Sequence, residues 1–160
     1  MRSGELLVLT PTDILPNKRI DINKNYAKIK GDELFLEPKT PKAKRCISIP
    51  DFLYDDIQEY ISKLYGIGNN DRIFYFQKMA LEKEMKRVSE WADLKPIRVH
   101  DLRHSHASML IDLVFSSLEI AERLGHESVK TTLDTYSHLY LDKDQQLADR
   151  LNQFRNNRTK

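Results

Sequence analysis

The sequence has a single cysteine and no long apolar segment, and both facts narrow the class of protein. Cys46 cannot form an intrachain disulfide, so a disulfide-stabilised domain is excluded and a reducing, cytoplasmic setting is the default. No apolar run approaches the roughly 20 residues of a membrane span, so no membrane partner is expected. With 40% apolar and 31% charged residues in a chain of 160, the composition is that of one globular domain.

A strong net charge is also lacking, since the formal charge is only +2. The charges are nevertheless unevenly placed. Residues 17–45 contain nine Lys or Arg and four Asp or Glu, whereas residues 51–60 contain four acids and no base. This polarity suits binding to a phosphate backbone. A solvated hairpin with ordinary lysines explains it slightly better, so charge alone does not indicate DNA binding.

The hydrophobic pattern predicts an α+β domain that is mostly helical, with a small antiparallel sheet on one edge. Short alternating segments separated by turn-forming residues predict strands over 19–22, 26–29, 34–36 and 45–49, and a short apolar run predicts another over 72–76. Helical spacing predicts one or two turns within 1–10 and helices over 52–64, 78–92, 101–113, 117–124, 131–140 and 144–154.

Two residues at the start of the predicted helix over 101–113 could bind a phosphate and transfer a proton. His100 and Arg103 are three residues apart and therefore share a helix face. The planar guanidinium of Arg103 can bridge two phosphate oxygens, and His100 can transfer a proton near neutral pH. His100 and His104 also have the spacing of a helical zinc pair, but no Glu, Asp or Cys completes a ligand set. His104 and His106 are therefore interpreted as ordinary surface or core histidines.

A second histidine and a tyrosine follow in the last third of the chain. Gly125 is typical of a helix C-cap in the left-handed conformation, which lifts His126 away from the helix. Tyr136 lies ten residues later, on a predicted helix whose apolar side carries Leu133 and Leu139. A lone tyrosine in this setting is usually a packed aromatic residue, so position alone does not make Tyr136 a nucleophile.

A lysine-rich turn joins two of the predicted strands. Lys39 lies between Pro38 and Thr40, and a lysine in such a turn can swing into a neighbouring groove. Lys42 and Lys44 are close enough to take the same role, and the whole turn is equally consistent with a solubilising segment.

Taken in chain order, these residues resemble the catalytic domain of tyrosine recombinases, the phage-type integrases. Each matching segment is short, but all of them occur in the expected order over nearly the whole chain. The amino-acid sequences of these segments are similar to those of integrases from Gram-positive phages and conjugative transposons. The segments are MRSGE (1–5) with the first arginine, the lysine turn at Lys39, HDLRHSHA (100–107), LGHES (124–128) and TTLDTYSH (131–138).

The resemblance implies a site-specific DNA recombinase that needs neither metal nor cofactor. Tyr136 is then the nucleophile, which attacks the scissile phosphate, forms a 3′-phosphotyrosyl bond and releases a 5′-hydroxyl. Arg2, Arg103 and His126 neutralise the charge that develops on the non-bridging oxygens. A 5′-hydroxyl from another duplex reverses the step, so that a mobile element is integrated or excised.

The resemblance also implies two proton-transfer residues. Lys39 donates a proton to the leaving oxygen, and His100 assists proton transfer at the nucleophile. Lys39 is preferred because the family's lysine precedes a threonine in the same hairpin, but Lys42 and Lys44 remain open.

The same resemblance sets expectations about partners and boundaries. The expected partners are double-stranded DNA attachment sites, further copies that form a tetramer on DNA, and an excisionase or host DNA-bending factor. The expected location is the bacterial cytoplasm, at the nucleoid.

Residues 1–160 are expected to be a catalytic domain without the family's preceding helix and DNA-clamping domain. The last helix is expected to dock on a neighbouring protomer or on its own domain. The turn over 113–117 lacks the family's frequent glycine, which predicts a strained or adjusted turn.

Three alternatives remain at this point. A type IB topoisomerase uses the same chemistry to relax supercoils, although the amino-acid sequences of the matching segments favour an integrase. A catalytically inert DNA-binding fragment would carry the same residues. A metal-dependent nuclease is the weakest alternative because no carboxylate cluster stands out, and insensitivity to a chelator would dismiss it.

Overall fold

The computed structural model describes residues 1–29, 32–38, 40–140, 148–149, 151–152 and 154–155. Lys39 and most of the predicted helix over 144–154 lie outside the described residues. The helices are α1 (Ser3–Leu6), α2 (Asp51–Ser62), α3 (Lys78–Trp91), α4 (Asp101–Asp112), α5 (Ser117–Leu124) and α6 (Val129–Tyr136). The strands are β1 (Ile14–Leu15), β2 (Arg19–Ile22), β3 (Asn25–Ile29), β4 (Asp32–Leu36) and β5 (Arg45–Ser48). Short 3₁₀ turns cover Pro11–Asp13, Pro41–Ala43 and Ser137–Tyr140.

The strands form two antiparallel sheets where the sequence predicts one. Strand β2 pairs with β1 on one side and with β5 on the other, with Ile20 opposite Ile47. Strands β3 and β4 form a separate hairpin inserted between β2 and β5. The hairpin therefore forms a sheet of its own instead of extending the three-stranded sheet.

The predicted strand over 72–76 is wrong, because these residues follow an irregular path. Ile73 is almost fully buried, and its backbone N–H donates to the carbonyl of Leu9 at 2.8 Å. The burial of Ile73 explains the apolar run. One backbone hydrogen bond is too few to form the ladder of a β-sheet.

The core consists of two apolar clusters, one in each half of the chain. The first packs the sheet against α2 and contains Leu9, Ile14, Ile20, Ile22, Ile49 and Ile73. The second joins α4, α5 and α6 and contains Ala107, Leu110, Ile111, Ile120, Leu124 and Tyr136. Arg2, directly before α1, and Arg45 of β5 donate hydrogen bonds to backbone carbonyls at the end of α5. In the described part of the chain, no helix has the length and apolar character needed to cross a membrane.

Helices α4 and α5 end in the same way with different residues. A left-handed residue follows each helix, directly after α5 and one residue later after α4, and backbone N–H groups close the Schellman pattern. At the end of α5 this residue is Gly125 (φ 67°), as predicted. At the end of α4 it is Val114 (φ 66°), so the turn that lacks the expected glycine is a strained one.

Serine side chains set the first turns of α5 and α6. The Ser116 hydroxyl accepts a hydrogen bond from the Glu119 backbone, and the Glu119 carboxylate accepts one from the Ser116 backbone, which is a capping box. The Ser128 hydroxyl accepts from the Lys130 backbone, so α6 begins two residues before the predicted start. These caps fix the starts of α5, which precedes His126, and of α6, which carries Tyr136.

Candidate active site

Three arginines from distant parts of the chain meet at the carboxyl end of α5. The last carbonyls of a helix lack intrahelical partners and carry the negative end of its dipole, so they attract cationic donors. The three donors are Arg45 Nε, Arg103 Nη2 and Arg2 Nη2, and they reach the carbonyls of Arg123, Leu124 and Gly125 at 3.0, 2.5 and 3.3 Å respectively. The two arginines predicted from the sequence therefore lie side by side, together with a third that was not predicted.

A buried carboxylate holds two of these arginines. Glu5 is 4% exposed and accepts hydrogen bonds from Arg45 Nη1 and Nη2 at 3.1 and 3.0 Å. It also accepts from Arg2 Nη1 at 2.8 Å and from the Arg2 backbone N–H at 2.7 Å. Burial alone would raise the pKa of the Glu5 carboxyl, but the hydrogen bonds from Arg45 and Arg2 outweigh it and hold the pKa at about 2. Glu5 therefore stays ionised and orients both guanidinium groups.

Arg103 has an unused donor inside the site. Its residue is 6% exposed, and Nη1 is buried without a hydrogen-bond partner among the described residues. Burial and the positive charge of Arg2 lower the pKa of Arg103 to about 10. Leaving a buried donor unpaired costs on the order of 1–3 kcal/mol. An anion bound beside Arg2 and Arg103 would remove that cost and offset their mutual repulsion.

His126 lies directly after the left-handed Gly125, as predicted. Its Nδ1 shares a hydrogen bond of 2.8 Å with Oγ1 of Thr132, a fully buried residue on α6. Burial, together with the charges of Arg103 and Arg2, lowers the pKa of His126 to about 4. The imidazole is therefore neutral near pH 7, and its Nε2 is the atom that can donate to an anion.

Tyr136 ends α6 and is buried in the second core, with 5% of its surface exposed. Its Oη lies 2.7 Å from Nδ1 of His104, and the two share a hydrogen bond. Burial raises the pKa of the Tyr136 phenol, while the positive charge of Arg103 acts in the opposite direction. Tyr136 is thus a packed aromatic residue and also lies beside the arginine pair, so the two interpretations of its position are compatible.

His100 directly precedes α4 and lies next to His104. The two rings meet edge to face, with 4.9 Å between their centroids. Burial, with contributions from His104 and Arg103, lowers the pKa of His100. The interpretation of His104 as an ordinary histidine missed its contact with Tyr136. Its spacing from His100 was a usable signal, but only the fold brings α6 alongside α4.

The other histidine and lysine candidates lie in different surroundings. His106 accepts a hydrogen bond at Nε2 from Arg123 Nε at 3.2 Å. Lys44 forms an exposed ion pair with Glu37 at 2.9 Å. In the part of the chain that the structure describes, no three His, Cys, Asp or Glu side chains group as a metal site.

The scaffold on which these residues lie is the fold of tyrosine recombinase catalytic domains. It matches a structure of the Tn1549 transposon integrase, residues 82–397, in complex with circular intermediate DNA, with a TM-score of 0.76 at 20% identity. The match covers 94% of this chain and 56% of that chain. The chain belongs to the phage integrase family, whose model matches residues 1–143.

Curated relatives lie within the same family. The chain is 36% identical over 167 residues to the ICEBs1 integrase of Bacillus subtilis (strain 168), covering 94% of this chain and 45% of the relative. It is 30% identical over 169 residues to the integrase of Staphylococcus phage L54a, covering 94% and 48%. The chain therefore spans about half the length of these relatives. The family and the fold class predicted from the sequence are confirmed.

Proposed function

We propose that residues 1–160 form the catalytic domain of a site-specific DNA recombinase, which cleaves and rejoins strands through a 3′-phosphotyrosyl intermediate. The observation that carries this proposal is the unpartnered donor of Arg103, buried beside Arg2 and close to the Tyr136 phenol. A phosphodiester is an anion that suits this place. The integrases of mobile elements among the relatives support the same function.

In this proposal Arg2, Arg103 and His126 bind the non-bridging oxygens of the scissile phosphate. The donors are held in advance by Glu5 and by the end of α5, so little reorganisation is needed when charge develops in the transition state. Loss of one such donor is expected to slow cleavage by about 10²–10³-fold.

Two groups are proposed to manage protons. Lys39 donates to the departing 5′ oxygen, as the resemblance to the family implies, with Lys42 and Lys44 as substitutes to be tested. His100 supports proton transfer on the side of the nucleophile, through its contact with His104. Neither role requires a metal ion or a cofactor.

The proposed partners follow from the same function. Double-stranded attachment sites are the substrate, and four copies of the protein assemble on a pair of sites for strand exchange. An excisionase or a host DNA-bending factor then sets the direction of the reaction, at the nucleoid of a bacterial cell.

The test is covalent capture of DNA on the tyrosine. The protein is incubated with a nicked suicide duplex made from the joined ends of the mobile element that encodes it, in EDTA, and separated on a denaturing gel. We expect a DNA-sized shift with the unaltered protein and with Tyr140→Phe, and none with Tyr136→Phe. Equal loss in both variants contradicts the assignment of the nucleophile.

A second assay separates recombination from relaxation of supercoils. Plasmid relaxation that is independent of the attachment sequence would favour a topoisomerase. Binding of the duplex without any adduct would favour an inert DNA-binding domain. Adduct formation confined to the attachment sequence supports the recombinase.

A further inference from the structure

We propose that His104 is a catalytic residue, the group that accepts the phenolic proton of Tyr136 as the tyrosine attacks phosphorus. This inference rests on the proposed function and assigns a role to a residue outside the predicted catalytic set. Among the described residues, His104 is the side chain that hydrogen-bonds to the reacting oxygen, at 2.7 Å. A general base has to be within such reach of the proton that it takes.

The contact is built from rigid elements. His104 lies in the second turn of α4, and Tyr136 lies at the end of α6, with both helices packed in the second core. The ring centroids of His104 and Tyr136 are 5.9 Å apart and the rings are inclined at 55°, so the bond runs from ring edge to hydroxyl. His100 also packs against the His104 ring, edge to face. His100 is then a positioning residue, which keeps Nδ1 of His104 directed at the phenol.

The proposed step balances as follows. The Tyr136 oxygen forms a bond to phosphorus while the bond from phosphorus to the 5′ oxygen breaks. The phenolic proton moves from Oη to Nδ1 of His104, and a separate acid protonates the 5′ oxygen. In the rejoining step the proton on His104 returns to Tyr136 as the phosphotyrosyl bond breaks. His104 must therefore be neutral before cleavage, with its hydrogen on Nε2.

Several titratable and charged groups lie around His104. The titratable and charged groups that face it are His100, Asp101 and Arg103 on or next to the start of α4, His126 after α5, and Tyr136 on α6. Asp101 is engaged by the side chain of Arg98, which offsets its negative charge. A neutral ring is the form that can accept a proton.

The first test needs no DNA. Ring-nitrogen NMR of the protein at neutral pH reports which nitrogen of each histidine carries the proton. We expect the Nε2–H form for His104, with Nδ1 accepting, and a change in its shifts in Tyr136→Phe that His106 does not show. An Nδ1–H form for His104 overturns the proposal, because that ring would donate to the phenol.

The second test uses His104→Asn, since the asparagine side-chain oxygen lies where Nδ1 lies and can still accept the hydrogen bond. This variant keeps the tyrosine in place but cannot take its proton. We expect single-turnover cleavage of the suicide duplex to slow by about 10²-fold or more, within the usual range for general base catalysis. We also expect the pH profile of cleavage by this variant to differ from that of the unaltered protein. His106→Asn is the matched control and should cleave at the unaltered rate.

A sulfur-substituted duplex shows whether His104 acts on the attacking tyrosine or on the leaving 5′ oxygen. A bridging 5′ sulfur leaves without protonation, so it should restore cleavage by Lys39→Ala but not by His104→Asn. Rescue of His104→Asn, or an unaltered rate and pH profile in that variant, overturns the role of His104 alone. No adduct with the unaltered protein on any duplex overturns the proposed function as well. Circular dichroism and thermal melting check that His104→Asn is folded.

Discussion

Breaking the buried pair of Glu5 and Arg45 should destabilise the whole domain. The substitution Arg45→Met keeps the length of the side-chain stem but removes the guanidinium. It leaves the Glu5 carboxylate, 4% exposed, with Arg2 as its remaining cationic partner. It also removes the donor that Arg45 presents to the carbonyl at the end of α5. We expect a lower free energy of unfolding and a displaced Arg2 side chain.

The magnitude can be worked out in two independent ways. Removing one member of a buried ion pair costs about 3–5 kcal/mol, because an uncompensated charge is left behind. The pKa of Glu5 falls from 4.5 to about 2 through Arg45 and Arg2 together, and with about 1.4 kcal/mol per pKa unit the interactions of its ionised form contribute roughly 3 kcal/mol. Because Arg2 still pairs with Glu5 in Arg45→Met, the expected loss is about 2–3 kcal/mol, at or below the lower end of the first figure.

Urea unfolding followed by circular dichroism at pH 7 measures this loss. Glu5→Gln and the double variant Glu5→Gln with Arg45→Met complete a double-mutant cycle. We expect the double variant to be at least about 2 kcal/mol more stable than the sum of the single losses predicts, since it leaves no unpaired buried charge. Additive losses, or a loss under about 1 kcal/mol for Arg45→Met, would refute the reasoning.

The pH dependence supplies a second check on the same pair. The pKa of Glu5 is lowered in the folded protein, so its contribution is complete above pH 4.5 and is lost as the pH falls from 4.5 towards 2. The stability difference between the unaltered protein and Glu5→Gln should therefore narrow by about 2 kcal/mol between pH 7 and pH 3. A constant difference contradicts the assignment of an ionised, paired Glu5.

Three further predictions concern the helix ends and the site histidine. Gly125→Ala should lower the free energy of unfolding by about 1–2 kcal/mol in urea, because alanine is strained at φ 67° and its Cβ would lie 2.7 Å from Arg45 Nη1. Val114→Gly should raise the melting temperature by relieving strain of about 1 kcal/mol, with Val114→Ala showing a smaller gain; an unchanged melting temperature contradicts this. The pKa of His126 is lowered to about 4 in the folded protein. As the pH falls from 6.5 towards 4, the unfolded chain therefore binds a proton at this residue before the folded protein does, and stability is lost. His126→Gln should flatten the melting temperature across that interval, and an unchanged slope contradicts it.

Local signals predicted the helices well. Helix α5 has the predicted bounds, because Gly125 closes it and its apolar residues face one side. Helix α6 begins earlier than predicted because Ser128 caps it, a signal present in the sequence but not used. The run over 72–76 misled the prediction, since burial of Ile73 and pairing in a sheet both favour apolar residues.

The site was predictable where its chemistry is local and not where it depends on the fold. Arg2, Arg103, His126 and Tyr136 stand in recognisable short segments, and the structure brings them together. Arg45 resembles any basic residue of a lysine-rich strand, and its partner Glu5 is 40 residues away. The catalytic roles of the set, including that of Lys39, stay predictions.

The end of α5 also bears on the order in which the protein acquires its chemistry. Its carbonyls are held by side chains that are 21, 78 and 123 residues distant along the chain. Contacts of such separation form late in folding, because long loops must close first. A chain still emerging from the ribosome displays Arg2 long before the end of α5 exists. We therefore expect a nascent or partly folded chain to lack the proposed phosphate pocket, so that the proposed strand cleavage is confined to completed molecules.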